Sequence, residues 1–316
     1  MKIFVTGVAG FIGFSVAKHF LEKKNHVYGI DNLDDYYSTK LKKKRLKILK
    51  DYNKFNYYKI DLSNYLKLNK LLNKKNFDYV FHFAAQAGVR YSLINPQKYY
   101  DSNISGFINL MDILKKKNIK KIIYASSSSV YGNIKKFPSK ETHKLMPINI
   151  YAQSKLLNEK ISNYFCKKYK MKIIGLRFFT IYGKWGRPDM LLMKIFNSIK
   201  TKKTLHLNNY GNHYRDFTYI EDAVKIIDRL IYSKFSKNEI FNICSSNPIK
   251  ILDICNIYKL HGLKYKKVKK HSADVFKTHG DNSKIKNNLK NIEFTDQILA
   301  IKKTFEWYKK YKIHKY

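Results

Sequence analysis

The chain opens on a short, nearly all-apolar run, Lys2–Thr6, which predicts a strand buried on both faces. From Phe11 to Lys23 the period changes: Ile12, Val16 and Phe20, with Ala17 and Leu21, fall on one side of a helix. The two periods then keep exchanging. Short apolar runs predict strands at His26–Ile30, Tyr57–Ile60, Tyr79–Phe83, Lys121–Ala125 and Lys172–Phe178. Helical spacing predicts helices over Asp34–Lys50, over Asn64–Lys75 with Leu66 and Leu71 inward, over Pro96–Lys117, and over a segment opened by Pro147 and Asn149. Such alternation predicts an α/β fold with a doubly wound parallel sheet.

From about Thr180 the pattern breaks. Ile181–Met190 is irregular and holds two glycines, Leu191–Lys200 has helical spacing, and Arg215–Ile220 leads into a helix over Glu221–Tyr232. Glu239–Ile243 predicts one more strand. Residues 1–179 therefore read as the main sheet domain, with 215–245 returning to it, and 180–316 as a smaller mixed α/β domain capping the sheet's carboxyl edge. A chain of 316 residues is long enough for two interlocking domains.

Composition narrows the setting. No apolar run approaches the ~20 residues of a membrane span, so no membrane partner is expected. Met1–Val5 runs straight into a glycine motif and leaves no room for a signal peptide. Cys166, Cys244 and Cys255 lie far apart and suggest neither a disulfide frame nor a metal site, which fits a reducing cytoplasm. The net charge of +40 comes from lysines spread over every segment, which read as solvated faces rather than a nucleic-acid surface. Only six basic residues are arginine, and Arg90, Arg177, Arg187 and Arg215 fall in the motif-bearing stretches. A retained arginine points to a planar, two-pronged partner such as phosphate or carboxylate.

Candidate chemistry gathers at the predicted strand ends. Gly7-Val-Ala-Gly10-Phe11-Ile12-Gly13 joins the first strand to the first helix, a Rossmann dinucleotide turn that brings backbone and a helix N-terminus to pyrophosphate. Asp31 closes the second strand, 18 residues beyond Gly13. A carboxylate there can take both ribose hydroxyls and would repel a 2′-phosphate, so NAD is favoured over NADP. Ala84-Ala85-Gln86 follows the fourth strand with small side chains that let a flat cofactor lie close, and Asn103 sits on the first half of the long helix. Ser126–Ser129 ends the fifth strand. Tyr151 and Lys155 are four apart on the next helix, and an ammonium beside a phenol is expected to lower the phenol's pKa and make it a general base. A serine hydroxyl from the strand end would share the same substrate oxygen.

These stretches resemble the extended short-chain dehydrogenase/reductases, in their NAD-dependent sugar-nucleotide epimerase/dehydratase group, over nearly the whole chain. The glycine turn and the tyrosine–lysine pair are common to that superfamily. The stretches Asp31–Tyr37, His82–Ser92, Leu176–Met190 and Arg215–Tyr219 are narrower and are most similar to UDP-glucuronate 4-epimerases. The resemblance implies that Gly7, Gly10 and Gly13 hold the NAD pyrophosphate, Asp31 the ribose, and Asp61 and Leu62 the adenine, with Phe11, Ile12 and Asn32 also at the cofactor. Ala84, Ala85, Gln86, Asn103, Ser126 and Phe178 complete the cofactor site. Tyr151 is implied as the base, Lys155 as its partner and a ligand of the nicotinamide ribose, and Ser127, with Ser128 as alternate, as the group on the sugar hydroxyl. Arg215 and Asp274 are implied for the nucleotide diphosphate and uridine and Met190 for the substrate, while Thr180, Arg187 and Arg90 are candidates to pin a uronate carboxylate, because a guanidinium can grip it with two bonds. Lys184 stands where the family has a proline, and the segment after Lys264 departs from the pattern.

The implied activity is 4-epimerisation of a UDP-sugar, UDP-glucuronate to UDP-galacturonate, through a transient 4-keto sugar. UDP-glucose/galactose or UDP-N-acetylhexosamine epimerisation, and UDP-glucuronate decarboxylation, are the alternatives within the fold. Dehydration is set aside because Ser128-Ser129 stands where a dehydratase has Asp-Glu. An NAD-sensing or nucleic-acid-binding scaffold is the non-enzymatic alternative. A homodimer built on the Pro96–Lys117 and Tyr151 helices is implied as well.

Overall fold

The computed structural model describes residues 1–235, 238–269 and 274–311. Its first half alternates β1 (Lys2–Thr6), α1 (Phe11–Glu22), β2 (His26–Ile30), α2 (Thr39–Lys50), β3 (Phe55–Tyr58), α3 (Tyr65–Asn73) and β4 (Tyr79–His82). There follow α4 (Gln97–Tyr99), α5 (Gly106–Leu114), β5 (Lys121–Ser127), α6 (Ile150–Tyr169), β6 (Ile173–Phe178) and β7 (Thr180–Tyr182). The remainder holds α7 (Leu191–Thr201), β8 (Leu205–Leu207), β9 (Tyr214–Tyr219), α8 (Ile220–Tyr232), β10 (Glu239–Ile243) and β11 (Pro248–Lys250). It continues with α9 (Ile251–Lys259), β12 (Tyr265–Lys267), α10 (Ser283–Asn288) and α11 (Gln297–Lys310).

Among the described residues, seven strands form one sheet in the order β10-β6-β5-β4-β1-β2-β3, and every pairing in it is parallel. Successive residues of each strand point to opposite faces. Ile3 and Val5 of β1, Phe81 of β4, Ile123 of β5 and Leu176 of β6 pack on one face with Phe14 and Phe20 of α1 and Ile227 of α8. Phe4, Val80, Ile122 and Tyr124 pack on the other with Leu68 and Leu72 of α3, Phe107 and Leu110 of α5, and Phe165 of α6. Each such Leu or Phe contributes about 1.5–3 kcal/mol by leaving water, which holds a two-faced sheet between two helical layers. The doubly wound α/β reading is therefore correct.

Smaller sheets, β11-β9-β7 and β12-β8, lie outside the main one. Strand β10 belongs to the main sheet, paired with β6, whereas β9 pairs with β7 and β11.

Three expectations need correcting. Leu66 is 78% exposed, and the inward stripe of α3 is Leu68, Leu71 and Leu72. Asn64 caps α3, and that start sets the i, i+3, i+4 face one position away from Leu66. The segment 97–114 is not one regular helix, because Tyr100–Ser105 takes π-helical bonding between α4 and α5. The polar stretch after Asp34 stays irregular until Ser38 caps α2.

Candidate active site

All the main strands run the same way, so their carboxyl ends meet along one edge, and a cleft of about 640 Å³ opens there. Every residue given a cofactor, substrate or catalytic role from the sequence lines it except Asn103, and of the four motif arginines Arg177 stands outside it.

The glycine turn leaves β1 at Gly7, whose φ is +71° and where a Cβ would stand 2.6 Å from the Ala84 nitrogen. Only glycine lets the β1 and β4 ends come that close. Gly10 precedes α1 with no side-chain cap, so the first-turn amides of the helix face the cleft unclaimed by a side chain. Asp31, at the end of β2, accepts from the Ala9 amide at 3.1 Å and the Leu33 amide at 2.8 Å. Burial raises its pKa, opposed by the nearby Lys42 charge and those two amides. Asn32 donates to Asp61 at 2.7 Å, joining the β2 and β3 ends. Bare helix amides, a turn whose Gly7 and Gly10 leave its backbone open to the cleft and a carboxylate at the next strand end fit a dinucleotide.

Asn103 plays a different part. It is buried, its Oδ1 accepts from the Gln86 amide at 2.7 Å and its Nδ2 donates to the Gln86 carbonyl at 3.1 Å and to Ser154 Oγ at 2.9 Å. The π-helical turn aims it there, so it fixes the loop after β4 from behind the cleft lining.

Helix α6 starts at a cap in which the Asn149 side chain accepts from the Ala152 amide at 2.9 Å. This sets Tyr151 and Lys155 on the cleft side, with the Tyr99 ring edge-on to Tyr151 at 6.2 Å. Lys155 is 2% exposed, and its Nζ donates to the Ala125 carbonyl of β5 at 2.8 Å. Burial lowers the Lys155 pKa to about 8. Contrary to the expected effect of the ammonium, the Tyr151 phenol stands above its ordinary pKa. Burial raises it, while a hydrogen bond with Ser127 and the Arg187 charge pull it down. Ser127 Oγ donates to Ser129 Oγ at 3.1 Å, whereas the Ser126 hydroxyl turns away from the cleft to Glu159 at 2.5 Å.

The arginines find their planar partners within the chain. Arg177 grips Glu159 with two bonds of 2.9 and 2.8 Å beneath the serine strand and adds the Tyr131 hydroxyl at 2.9 Å. Arg187 grips Asp189 with bonds of 2.9 and 2.6 Å, and Arg90 pairs with Asp274 at 2.8 Å. Arg215 donates to the backbone carbonyls of Tyr214, Phe276 and Val275. Arg45, missed from the sequence, is fully buried and donates to the Ala9 and Trp185 carbonyls at 2.9 and 2.5 Å, tying the glycine turn to the Arg187 loop. Its signal was the one used for the others, an arginine standing alone in a lysine-rich helix. Tyr36, Asp189 and Lys194 also line the cleft and had been given no role. Among the described residues, no helix is long and apolar enough to cross a membrane, and no group of three or more His, Cys, Asp or Glu is placed to hold a metal.

Known proteins share this arrangement. An uncharacterized protein of Methanocaldococcus jannaschii is 43% identical over 289 residues, covering 90% of this chain and 88% of that one. UDP-glucuronate 4-epimerase 4 of Arabidopsis thaliana is 36% identical over 333 residues, covering 98% of this chain and 76% of that protein. The crystal structure of UDP-glucuronic acid 4-epimerase from Bacillus cereus, in complex with UDP-glucuronic acid and NAD, superposes with a TM-score of 0.92. It is 30% identical and covers 98% of this chain and 99% of its own. Residues 3–244 match the family described as NAD dependent epimerase/dehydratase. The chain belongs to that family, within the NAD-dependent extended short-chain dehydrogenase/reductases.

Proposed function

We propose that this enzyme is an NAD-dependent isomerase that inverts C4 of a UDP-sugar, and that its substrate pair is UDP-glucuronate and UDP-galacturonate. One observation carries the reading: a single cleft holds Tyr151 and Ser127 beside the dinucleotide cradle and Arg187, Arg90 and Arg215 on the remaining lining. NAD, when bound, supplies a reversible hydride acceptor for the sugar carbon. The chain's own residues do the rest. Tyr151 takes the proton of the 4-hydroxyl, and the Ser127 hydroxyl, hydrogen-bonded to the same phenol, steadies the phenolate and the substrate oxygen. Lys155, anchored on Ala125, holds the helix against the strand end and offers its remaining protons to the ribose. Arg215 and the Arg90–Asp274 pair hold the nucleotide, so the keto sugar can turn over about its diphosphate bonds and present the other face of C4 to the returning hydride while Tyr151 gives the proton back to the C4 oxygen.

A uronate adds a hazard. Oxidised at C4 it is a β-keto acid: the bond to the carboxyl carbon can break, its electron pair passing into the carbonyl as an enolate while CO2 leaves. That bond breaks readily only when it stands perpendicular to the plane of the ketone, where its electron pair can enter the carbonyl π system. A guanidinium that holds the carboxylate so that this bond stays near the ketone plane suppresses the loss, and Arg187, with Thr180 at the start of β7, lines the cleft for that task. The exposed apolar side chains Tyr100, Ile108, Leu157 and Tyr164, on the π-helical turn, α5 and α6, support a homodimer through these helices.

The test is turnover of the NAD-loaded protein with UDP-glucuronate, UDP-glucose and UDP-N-acetylglucosamine. A clear preference for the first supports the reading, and a preference for either neutral sugar overturns the uronate assignment.

A further inference from the structure

An arginine has two edges that can take a carboxylate side by side, Nε with Nη2 and Nη1 with Nη2. In Arg187 the first is occupied: Nε reaches Asp189 Oδ1 at 2.9 Å and Nη2 reaches Oδ2 at 2.6 Å. Nη1 has no hydrogen-bond partner among the described residues, and Arg187 lines the cleft. Asp189 is itself held. The Tyr36 hydroxyl donates to its Oδ2 at 3.2 Å, and Tyr36 packs on the Tyr91 ring at 4.9 Å. Tyr36 is also pressed against Gly88, where φ is +101° and a Cβ would stand 2.1 Å from the tyrosine oxygen. The Gly88 carbonyl accepts from Tyr99, whose ring meets Tyr151. A continuous set of contacts thus runs from Arg187 through Asp189, Tyr36 and Tyr99 to Tyr151.

We propose that Asp189, steadied by Tyr36, is the positioning residue for Arg187: it locks one edge of the guanidinium so that the other holds the sugar carboxylate, and with it the bond to the carboxyl carbon, out of the orientation that loses CO2. This rests on the uronate reading above. Asp189 has a second effect, because the Arg187 charge reaches Tyr151 and lowers its pKa, while the adjacent carboxylate partly cancels that charge. The two effects separate by substitution. Asp189→Asn keeps the size and one acceptor but removes the charge. The sugar carboxylate is freed and the field on Tyr151 grows, so the phenolate forms at lower pH. Tyr36→Phe loosens Asp189 and leaves both charges in place.

The experiment measures, for NAD-loaded wild type, Asp189→Asn and Tyr36→Phe, the fraction of UDP-glucuronate turnovers ending in CO2 and the pH profile of kcat. Asp189→Asn is expected to raise the decarboxylated fraction about tenfold and to move the acid limb down by roughly half a pH unit or more. Tyr36→Phe is expected to raise the fraction without moving the limb. A role in folding alone would lower kcat in both variants while leaving fraction and limb at the wild-type values, and that result overturns the inference. If the wild type epimerises UDP-glucuronate and the variants show no change, only this inference falls. If the wild type leaves UDP-glucuronate untouched, the proposed substrate falls and the inference with it.

Discussion

The Lys155 ammonium gives its hydrogen bond to the Ala125 carbonyl, 2.8 Å away, although Tyr151 lies one helical turn before it. Helix α6 is thereby pinned to β5, whose last residue is Ser127. The acidity of Tyr151 in this cleft answers first to burial, then to Ser127 and Arg187.

A pH prediction follows. With the phenolate as the proposed base, kcat is expected to rise with pH through the Tyr151 pKa. Ser127 lowers that pKa, and Ser127→Ala removes the bond. The acid limb of kcat is expected to move to higher pH, with a loss in rate of about a hundredfold. A profile superimposable on the wild type would detach Ser127 from the base.

Asp31 is nearly fully buried and held by two amides, ready to accept hydroxyls. Asp31→Ser is expected to weaken NAD about tenfold to a hundredfold, the worth of a charge-assisted hydrogen bond. It should also narrow the preference over NADP, because the repulsion of a 2′-phosphate goes with the carboxylate. Titration with both cofactors checks this, and unchanged affinities would place the ribose elsewhere.

Arg177 and Glu159 are both buried, and Ser126 and Tyr131 depend on them for hydrogen bonds. Arg177→Leu leaves a buried carboxylate without its cation, and is expected to cost about 3–5 kcal/mol, or roughly 5–10 °C in Tm. Removing both charges with Arg177→Leu/Glu159→Leu should recover most of that. Thermal unfolding of the three proteins decides, and a single variant as stable as the wild type would show the pair to be idle.

Tyr164 is 55% exposed on α6. If this face meets a second copy, Tyr164→Glu buries a charge in the contact and shifts the sedimentation coefficient from dimer to monomer. A wild type that sediments as a monomer would remove the dimer.

The sheet could be read from the sequence because strands buried on both faces must be apolar throughout, as Phe4, Val80 and Ile123 are. The cleft could be read because a parallel sheet delivers Gly7, Asp31, Ala84 and Ser127 to one edge. Partners could not. An arginine waiting for a ligand and one paired with a neighbouring acid look alike in sequence, so Arg177–Glu159 and Arg187–Asp189 emerged only in three dimensions. Nothing in the sequence Tyr100–Ser105 announces π-helical bonding, and the aim of Asn103 depends on it. The Tyr151 pKa was misjudged for a related reason: spacing could not show the burial that raises it, nor that Lys155 gives its bond to Ala125.

The central claim is that the hydrogen on the sugar carbon leaves and returns within the cleft while Tyr151 handles only the hydroxyl proton. Proton NMR of the NAD-loaded enzyme acting on UDP-glucuronate in D2O tests it most directly. UDP-galacturonate with its carbon-bound hydrogen at C4 retained is the predicted result. Deuterium at C4, or a pentose as the main product, would contradict the account.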